Sequence, residues 1–93
     1  MHDPPVVVRV RSVDPRDQTW EVWNPAYRVY FWERDEVGGW RSEERELSEC
    51  DAAEALGWAR RESKGRSFTL YTVVRDDRGV GLIRLAGDDP TRT

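Results

Sequence analysis

Tyr27-Arg28-Val29-Tyr30-Phe31-Trp32-Glu33 is the stretch that decides the fold of this 93-residue chain. β-Branched and aromatic residues dominate it and alternate in character, which is typical of a strand with two different faces. The core face is assigned Tyr27, Val29 and Phe31, and the opposite face Arg28, Tyr30 and Trp32. The stretch therefore predicts a strand, and the flanking sequence must supply its neighbours.

Further strands are predicted on both sides of this stretch. Alternating valines predict a strand at residues 6–12, and an extended pattern predicts one at 19–23. Similar patterns predict strands at 67–74 and 80–85, joined by a hairpin loop at 76–79. Neither a helix nor a strand is predicted for the Gly-containing loop at 35–40 or for the charged run at 41–46. The order strand, strand, strand, helix, strand, strand predicts an α+β fold, with a mostly antiparallel sheet of four to five strands and one helix packed on a face.

The helix is predicted at about residues 50–64. Asp51 and Glu54 have the spacing of a capping box, and Gly65 supplies a stop. Small and apolar side chains form one helical stripe: Ala52, Ala55, Leu56 and Ala59. Gly57 lowers helix stability, and tight packing against a strand would explain its presence. The helix is therefore expected to lie close to the sheet.

Composition limits the domain organisation and the classes of partner. The length fits a single domain at 1–93, with an ordered core at about 6–87 and flexible ends. The net charge of −3 argues against general binding of nucleic acid or anionic membranes. The first residues lack the features of a secretion signal, and no apolar run is long enough to span a membrane. We expect a cytoplasmic protein that does not bind membranes.

The titratable residues do not form a catalytic pattern, so the sequence predicts no enzyme activity. His2 lies next to prolines in the terminal segment, where a positioned base is not expected. Cys50 stands beside Glu49 and Asp51, which oppose a thiolate. A single cysteine excludes an internal disulfide and a cysteine-cluster zinc site. No cofactor and no metal ion are predicted.

The candidate binding residues lie on the strand face that carries arginine and aromatic side chains and in the acidic run before the helix. They are Arg28, Tyr30, Trp32, Arg34, Glu43 and Glu44. Trp, Tyr and Arg dominate the energetics of protein interfaces, so the face is predicted to bind a protein. Alternatively, loops or a partner cover this face, and Tyr30 and Trp32 form a second, minor core.

Three functions follow, in order of preference. The first is a non-catalytic protein-interaction module, such as an inhibitor, an immunity-type protein or an accessory subunit. The second is a small nucleic-acid-binding domain that uses the same Arg, Tyr and Trp side chains. The third is binding of a small molecule between helix and sheet. The sequence leaves the oligomeric state open.

Three stretches of the chain resemble small uncharacterised proteins of actinobacteria. They are Tyr27–Glu33, Gly65–Tyr71 and Gly81–Leu85. The resemblance implies a GC-rich bacterial source, which agrees with the fourteen arginines among fifteen basic residues. It implies no activity and transfers no site residue.

Overall fold

The computed structural model describes residues 7–92 and places one helix on a four-stranded sheet. The elements are β1 (Tyr27–Arg34), β2 (Trp40–Leu47), α1 (Ala52–Ser63), β3 (Ser67–Asp76) and β4 (Gly79–Gly87). The strands lie in the order β2-β1-β3-β4, and every neighbouring pair is antiparallel. The helix packs on β1 and β3. The predicted α+β fold class is confirmed.

The beginning of the chain differs from the prediction. Residues 7–24 contain a single 3-10 turn, Pro15–Asp17, and no strand, so the strands predicted at 6–12 and 19–23 do not form there. Val6 and the predicted flexible start at residues 1–5 lie outside the described residues. A strand requires a hydrogen-bonded neighbour, and valine-rich composition alone does not supply one. The described elements therefore follow the order ββαββ.

The charged run at 41–46 is part of strand β2, which the sequence pattern did not predict. β2 pairs with β1 along all eight residues, from Tyr27 opposite Leu47 to Arg34 opposite Trp40. The connecting turn is built on the Asp35 carboxylate, which accepts hydrogen bonds from the backbone N–H groups of Val37 and Gly39. Continuous backbone pairing with the strongest strand outweighs the low β-propensity of charged side chains.

The core lies between α1 and the two central strands. Tyr27, Val29 and Phe31 of β1 are buried as predicted, together with Leu70 of β3. On the helix, Ala55 and Ala59 have no exposed surface, so the helix backbone approaches the sheet closely. Other members of the predicted stripe contribute less: Leu56 is half-buried and Ala52 is exposed.

The helix ends agree with the sequence prediction, but the role predicted for Gly57 is wrong. Asp51 accepts from the backbone N–H of Glu54, whose side chain accepts from the N–H of Asp51, which completes the capping box. Lys64 and Gly65 adopt left-handed backbone angles after the last turn. A Cβ added at Gly57 would approach the Arg61 guanidinium and no strand, so sheet packing does not require this glycine.

The close approach of α1 gives a stability prediction. Ala59→Leu inserts three carbon atoms where Ala59 is fully buried, and we expect it to lower the free energy of unfolding by about 1–3 kcal/mol. Ala53→Leu makes the same change on the exposed side of the helix and should change stability by less than about 0.5 kcal/mol. Chemical denaturation followed by circular dichroism measures both. Equal losses in the two variants would contradict the packing of α1 on the sheet.

Candidate binding surface

The sheet has a second face, opposite α1, which we call the open face. Antiparallel pairing places the alternate residues of β1 on it with their cross-strand neighbours, so that the register defines its members. They are Arg28, Tyr30, Trp32 and Arg34 of β1, Trp40, Ser42, Glu44 and Glu46 of β2, and Ser67, Thr69 and Tyr71 of β3. Arg28, Tyr30, Trp32 and Arg34 therefore share a face, as the alternation predicts.

An aromatic cluster forms the middle of the open face. The rings of Tyr30 and Trp32 have centroids 5.8 Å apart, and the ring of Tyr71 meets Tyr30 edge-on at 5.3 Å. Tyr30 and Tyr71 are half-buried. Burial raises the pKa of the Tyr71 phenol. The cluster thus presents two tyrosine rings to solvent on a rigid hydrogen-bonded sheet.

Trp32 is buried, with 8% of its surface exposed, so the expectation that it lies exposed on this face is wrong. Its indole N–H donates to Thr69 Oγ1 at 3.0 Å, and the Thr69 hydroxyl donates to the carbonyl oxygen of Asp88 at 2.6 Å. Gly87 allows this contact, because a Cβ there would lie 2.0 Å from the Phe68 carbonyl oxygen. The chain after β4 therefore passes beside Trp32, and at this position the minor-core alternative is correct.

The arginines of the open face differ in their partners. Arg28 pairs with Glu46 across the strands at 3.0 Å, and Arg75 reaches the same carboxylate at 3.5 Å. Arg34 is exposed, lies 4.6 Å above the centre of the Trp40 ring and donates to the carbonyl oxygen of Gly38. Among residues 7–92, Arg34 has no carboxylate partner, so its charge remains available to a ligand.

Glu43 and Glu44 lie on opposite faces of β2, and neither belongs to the region at the helix N-terminus where the sequence placed them. Glu44 is exposed on the open face, opposite Tyr30. Glu43 lies on the helix side and accepts from Arg66 at 2.8 Å. This hydrogen bond and the nearby charge of Arg45 hold the pKa of Glu43 below its ordinary value. The predicted acidic surface is therefore divided between two faces.

A cleft of about 440 Å³ lies between α1 and β2, where the sequence suggested a small-molecule site. Its walls carry Phe31, Trp58 and several charged side chains. Arg66 covers the Phe31 ring at 4.5 Å and pairs with Glu43 at 2.8 Å and Glu33 at 3.6 Å. Because Arg66, Glu43 and Glu33 pair with each other, their charges are less available to orient a ligand, which leaves mainly Glu62 and Lys64 of the cleft walls for that role.

The sequence did not identify Tyr71, Trp40 and Glu46 as members of the open face. Tyr71 alternates with the buried Leu70 on β3, but its place beside Tyr30 depends on a register that one strand cannot reveal. Trp40 and Glu46 belong to β2, which was not predicted as a strand. Alternation alone would have assigned all three correctly if the pairing partners had been known.

Comparisons with known proteins identify no relative. No protein-family model matches the chain, and neither the curated proteins nor the solved structures contain a match. Within residues 7–92, no helix is long and apolar enough to cross a membrane. The same residues contain no group of three His, Cys, Asp or Glu side chains that could hold a metal ion.

The hydrogen bonds of Thr69 lead to a prediction about Trp32. Thr69→Val keeps the side-chain shape but leaves the buried Trp32 N–H without its acceptor, and we expect a loss of about 1–3 kcal/mol in the free energy of unfolding. Thr72→Val is the matched control on the same strand. It removes one longer hydrogen bond, 3.3 Å, to the Ala26 carbonyl oxygen. Denaturation curves compare the two, and a larger loss for Thr72→Val would contradict this account.

The environment of Cys50 predicts slow thiol chemistry. Cys50 is half-buried against the core, and burial raises the pKa of its thiol, with Glu54 and Asp51 acting in the same direction. A raised pKa leaves less thiolate at neutral pH, so reaction with Ellman's reagent should be slower than for free cysteine. Unfolding in denaturant should restore the ordinary rate. A folded protein that reacts faster than free cysteine would overturn this assignment.

Proposed function

We propose that this chain is a non-catalytic protein-interaction module that binds its partner through the open face of the sheet. The observation that carries the proposal is the half-buried pair Tyr30 and Tyr71, together with the exposed Arg34 over the half-buried Trp40, on a face that α1 does not cover. An inhibitor, an immunity-type protein or an accessory subunit would fit this description. A cytoplasmic location belongs to the same proposal.

The residue types of this surface support protein recognition. Tyrosine, tryptophan and arginine contribute most of the energy at protein interfaces, because they combine large apolar area with polar groups that remain paired on binding. The aromatic cluster and the strand pairing hold Tyr30 in place. A surface that is already ordered loses little conformational entropy when a partner binds.

The charges indicate the kind of partner. Arg34 donates to a backbone carbonyl oxygen, and so does Arg84 of β4, and neither guanidinium pairs with a carboxylate among residues 7–92. Both guanidinium groups can therefore pair with carboxylates of a partner. Glu44, exposed beside Tyr30, supplies one opposite charge. The complementary surface would be apolar in its centre, with acidic side chains toward Arg34 and Arg84.

The same charges weaken the alternative of nucleic-acid binding. Arg28 and Arg75 share Glu46, so the charges of both arginines are already neutralised in part. The net charge of the chain is −3. Binding to a phosphate backbone needs a clear excess of positive charge, which supports the protein over the nucleic acid as partner.

A comparison of bait variants tests this proposal. Wild-type protein, Tyr30→Ala and Arg61→Ala serve as baits against an extract of the source cells, and captured proteins are then measured individually by calorimetry. We expect Tyr30→Ala to weaken binding of the partner by about 2 kcal/mol, or roughly 30-fold. Arg61→Ala, on the exposed surface of α1, should change the affinity by less than threefold (about 0.6 kcal/mol).

Circular dichroism first confirms that Tyr30→Ala is folded. A partner that binds wild-type protein and Tyr30→Ala equally well would contradict the use of the open face. Salt titration separates the two kinds of partner, because nucleic-acid affinity falls with a logarithmic slope near one per neutralised phosphate. Tight binding of mixed-sequence oligonucleotides with such a slope would replace the protein-binding proposal by its alternative.

A further inference from the structure

Residues 7–24, which we call the N-terminal arm, expose their apolar side chains in a way that the single chain does not explain. Every arm residue is exposed. Seven large apolar side chains have 61–88% of their surface accessible, namely Val7, Val8, Val10, Val13, Trp20, Val22 and Trp23. The radius of gyration is 16.0 Å, against about 12 Å for a compact domain of this length. The arm is therefore not packed into the core of its own chain, although it has the composition of a strand.

The outer edge of β4 is the second unpaired feature. β4 is nine residues long, ends the sheet on one side and contains one charged residue, Arg84. Val80, Ile83 and Leu85 along it are about half exposed. An edge strand that is long and apolar, with free backbone N–H and C=O groups, is a template for pairing with another strand. A bulge after Arg84 disturbs its end, but Gly79–Arg84 pairs regularly with β3.

The opposite edge of the sheet shows what a protected edge looks like in this chain. Five of the eight residues of β2 are charged, and charged side chains are a common device against edge pairing. Arg41 pairs with Glu33, and Arg45 with Glu43. β4 has no comparable set of charges, so it is the edge that can accept a strand.

The path of the arm leaves that edge open in its own chain. The carbonyl oxygen of Ala26 accepts from the backbone N–H of Val73 at 3.0 Å, which fixes the base of the arm beside β3. Trp20, Val22 and Pro25 then form one wall of a cleft of about 650 Å³, whose other wall includes Val74 and Ile83. Residues 7–13, on the other side of the turn at Pro15–Asp17, do not line this cleft. Ile83 thus belongs both to the cleft and to the open edge.

We propose that residues 7–13 of one chain add as a fifth strand to the outer edge of β4 in a second copy, and that the exchange is reciprocal. The valines of the incoming arm fill the cleft beside Ile83, and the arm backbone pairs with β4. A twofold dimer satisfies both arms and both edges with one kind of contact. This inference is independent of the proposed function of the open face.

The area and the charges agree with a second copy as the occupant. A buried aliphatic side chain removes roughly 60–120 Å² from water. Val7, Val8, Val10, Val13, Val80, Ile83 and Leu85 are exposed in each chain. Two such contacts, one from each arm, together bury roughly 800–1,700 Å², a range that reaches the size of a stable interface. Arg9 and Arg11 of the arm are also complementary in charge to Asp77 at the tip of the β3–β4 hairpin and to Asp76, which lines the cleft and pairs with Arg78 at 3.3 Å.

Sedimentation equilibrium of the full chain tests the dimer. Wild-type protein should have twice the chain mass of 10.9 kDa. The double variant Val8→Asp, Val10→Asp places charges in both contacts between an arm and β4, and it should weaken the dimer by at least about 100-fold. Val37→Asp is the matched control, because Val37 is 92% exposed in the β1–β2 turn, and it should leave the dimer unchanged. A monomeric wild type, or a dimer that survives the arm substitutions, would overturn the proposal.

Energy transfer between chains tests which surfaces meet. In a Cys50→Ala background, Ser12→Cys carries the donor in one preparation and Arg78→Cys carries the acceptor in another, so that each chain has one label. Both positions are exposed. Mixing should produce transfer, and adding Ile83→Asp to the acceptor chain should reduce it. Absence of transfer in a mixture that is still dimeric would place the interface elsewhere. The open-face residues are unchanged in all these variants, so the outcome leaves the separate test with Tyr30→Ala intact.

Discussion

Ala55 and Ala59 allow α1 to lie directly on the central strands, and this contact determines what else the chain can bury. A helix is about 10 Å wide with its side chains, while neighbouring strands lie about 4.8 Å apart. One helix therefore covers about two strands, and here it covers β1 and β3. Val29 and Leu70, at the centre of these strands, are almost completely buried. The side chains of both edge strands and of the entire opposite face must therefore be covered or paired by something other than the helix.

The two edge strands and the open face meet this constraint in different ways. β2 carries charged side chains that pair across strands, with Arg66 linking β2 to the end of the helix. On the open face, Trp32 is covered because Thr69 bonds both to its indole and to the chain after β4. β4 has neither arrangement, and its aliphatic side chains remain exposed. The uncovered aromatic residues and the uncovered edge thus have one origin, a sheet that is wider than its single helix.

The sequence predicts those features whose cause is local. The capping box, the left-handed helix end and the hairpin after β3 depend on residues that are close in the chain, and each is found. The core face of β1 follows from alternation. β2 was missed because its strand character comes from pairing with β1 and not from its charged residues. Trp32 was misplaced because the chain that covers it lies 56 positions later, at Asp88, a contact that no periodicity reveals.

The strand predicted at 6–12 illustrates the same distinction. Its alternating valines satisfy the local requirement for a strand, but residues 7–13 have no neighbour in this chain. A neighbour supplied by a second copy would join at β4, whereas Tyr30 and Arg34 lie on β1, two strands away or about 10 Å. Exchange of arms would therefore leave both open faces accessible. The dimer would present two equal binding surfaces, and a partner with repeated sites would gain affinity from the higher effective concentration without any new contact.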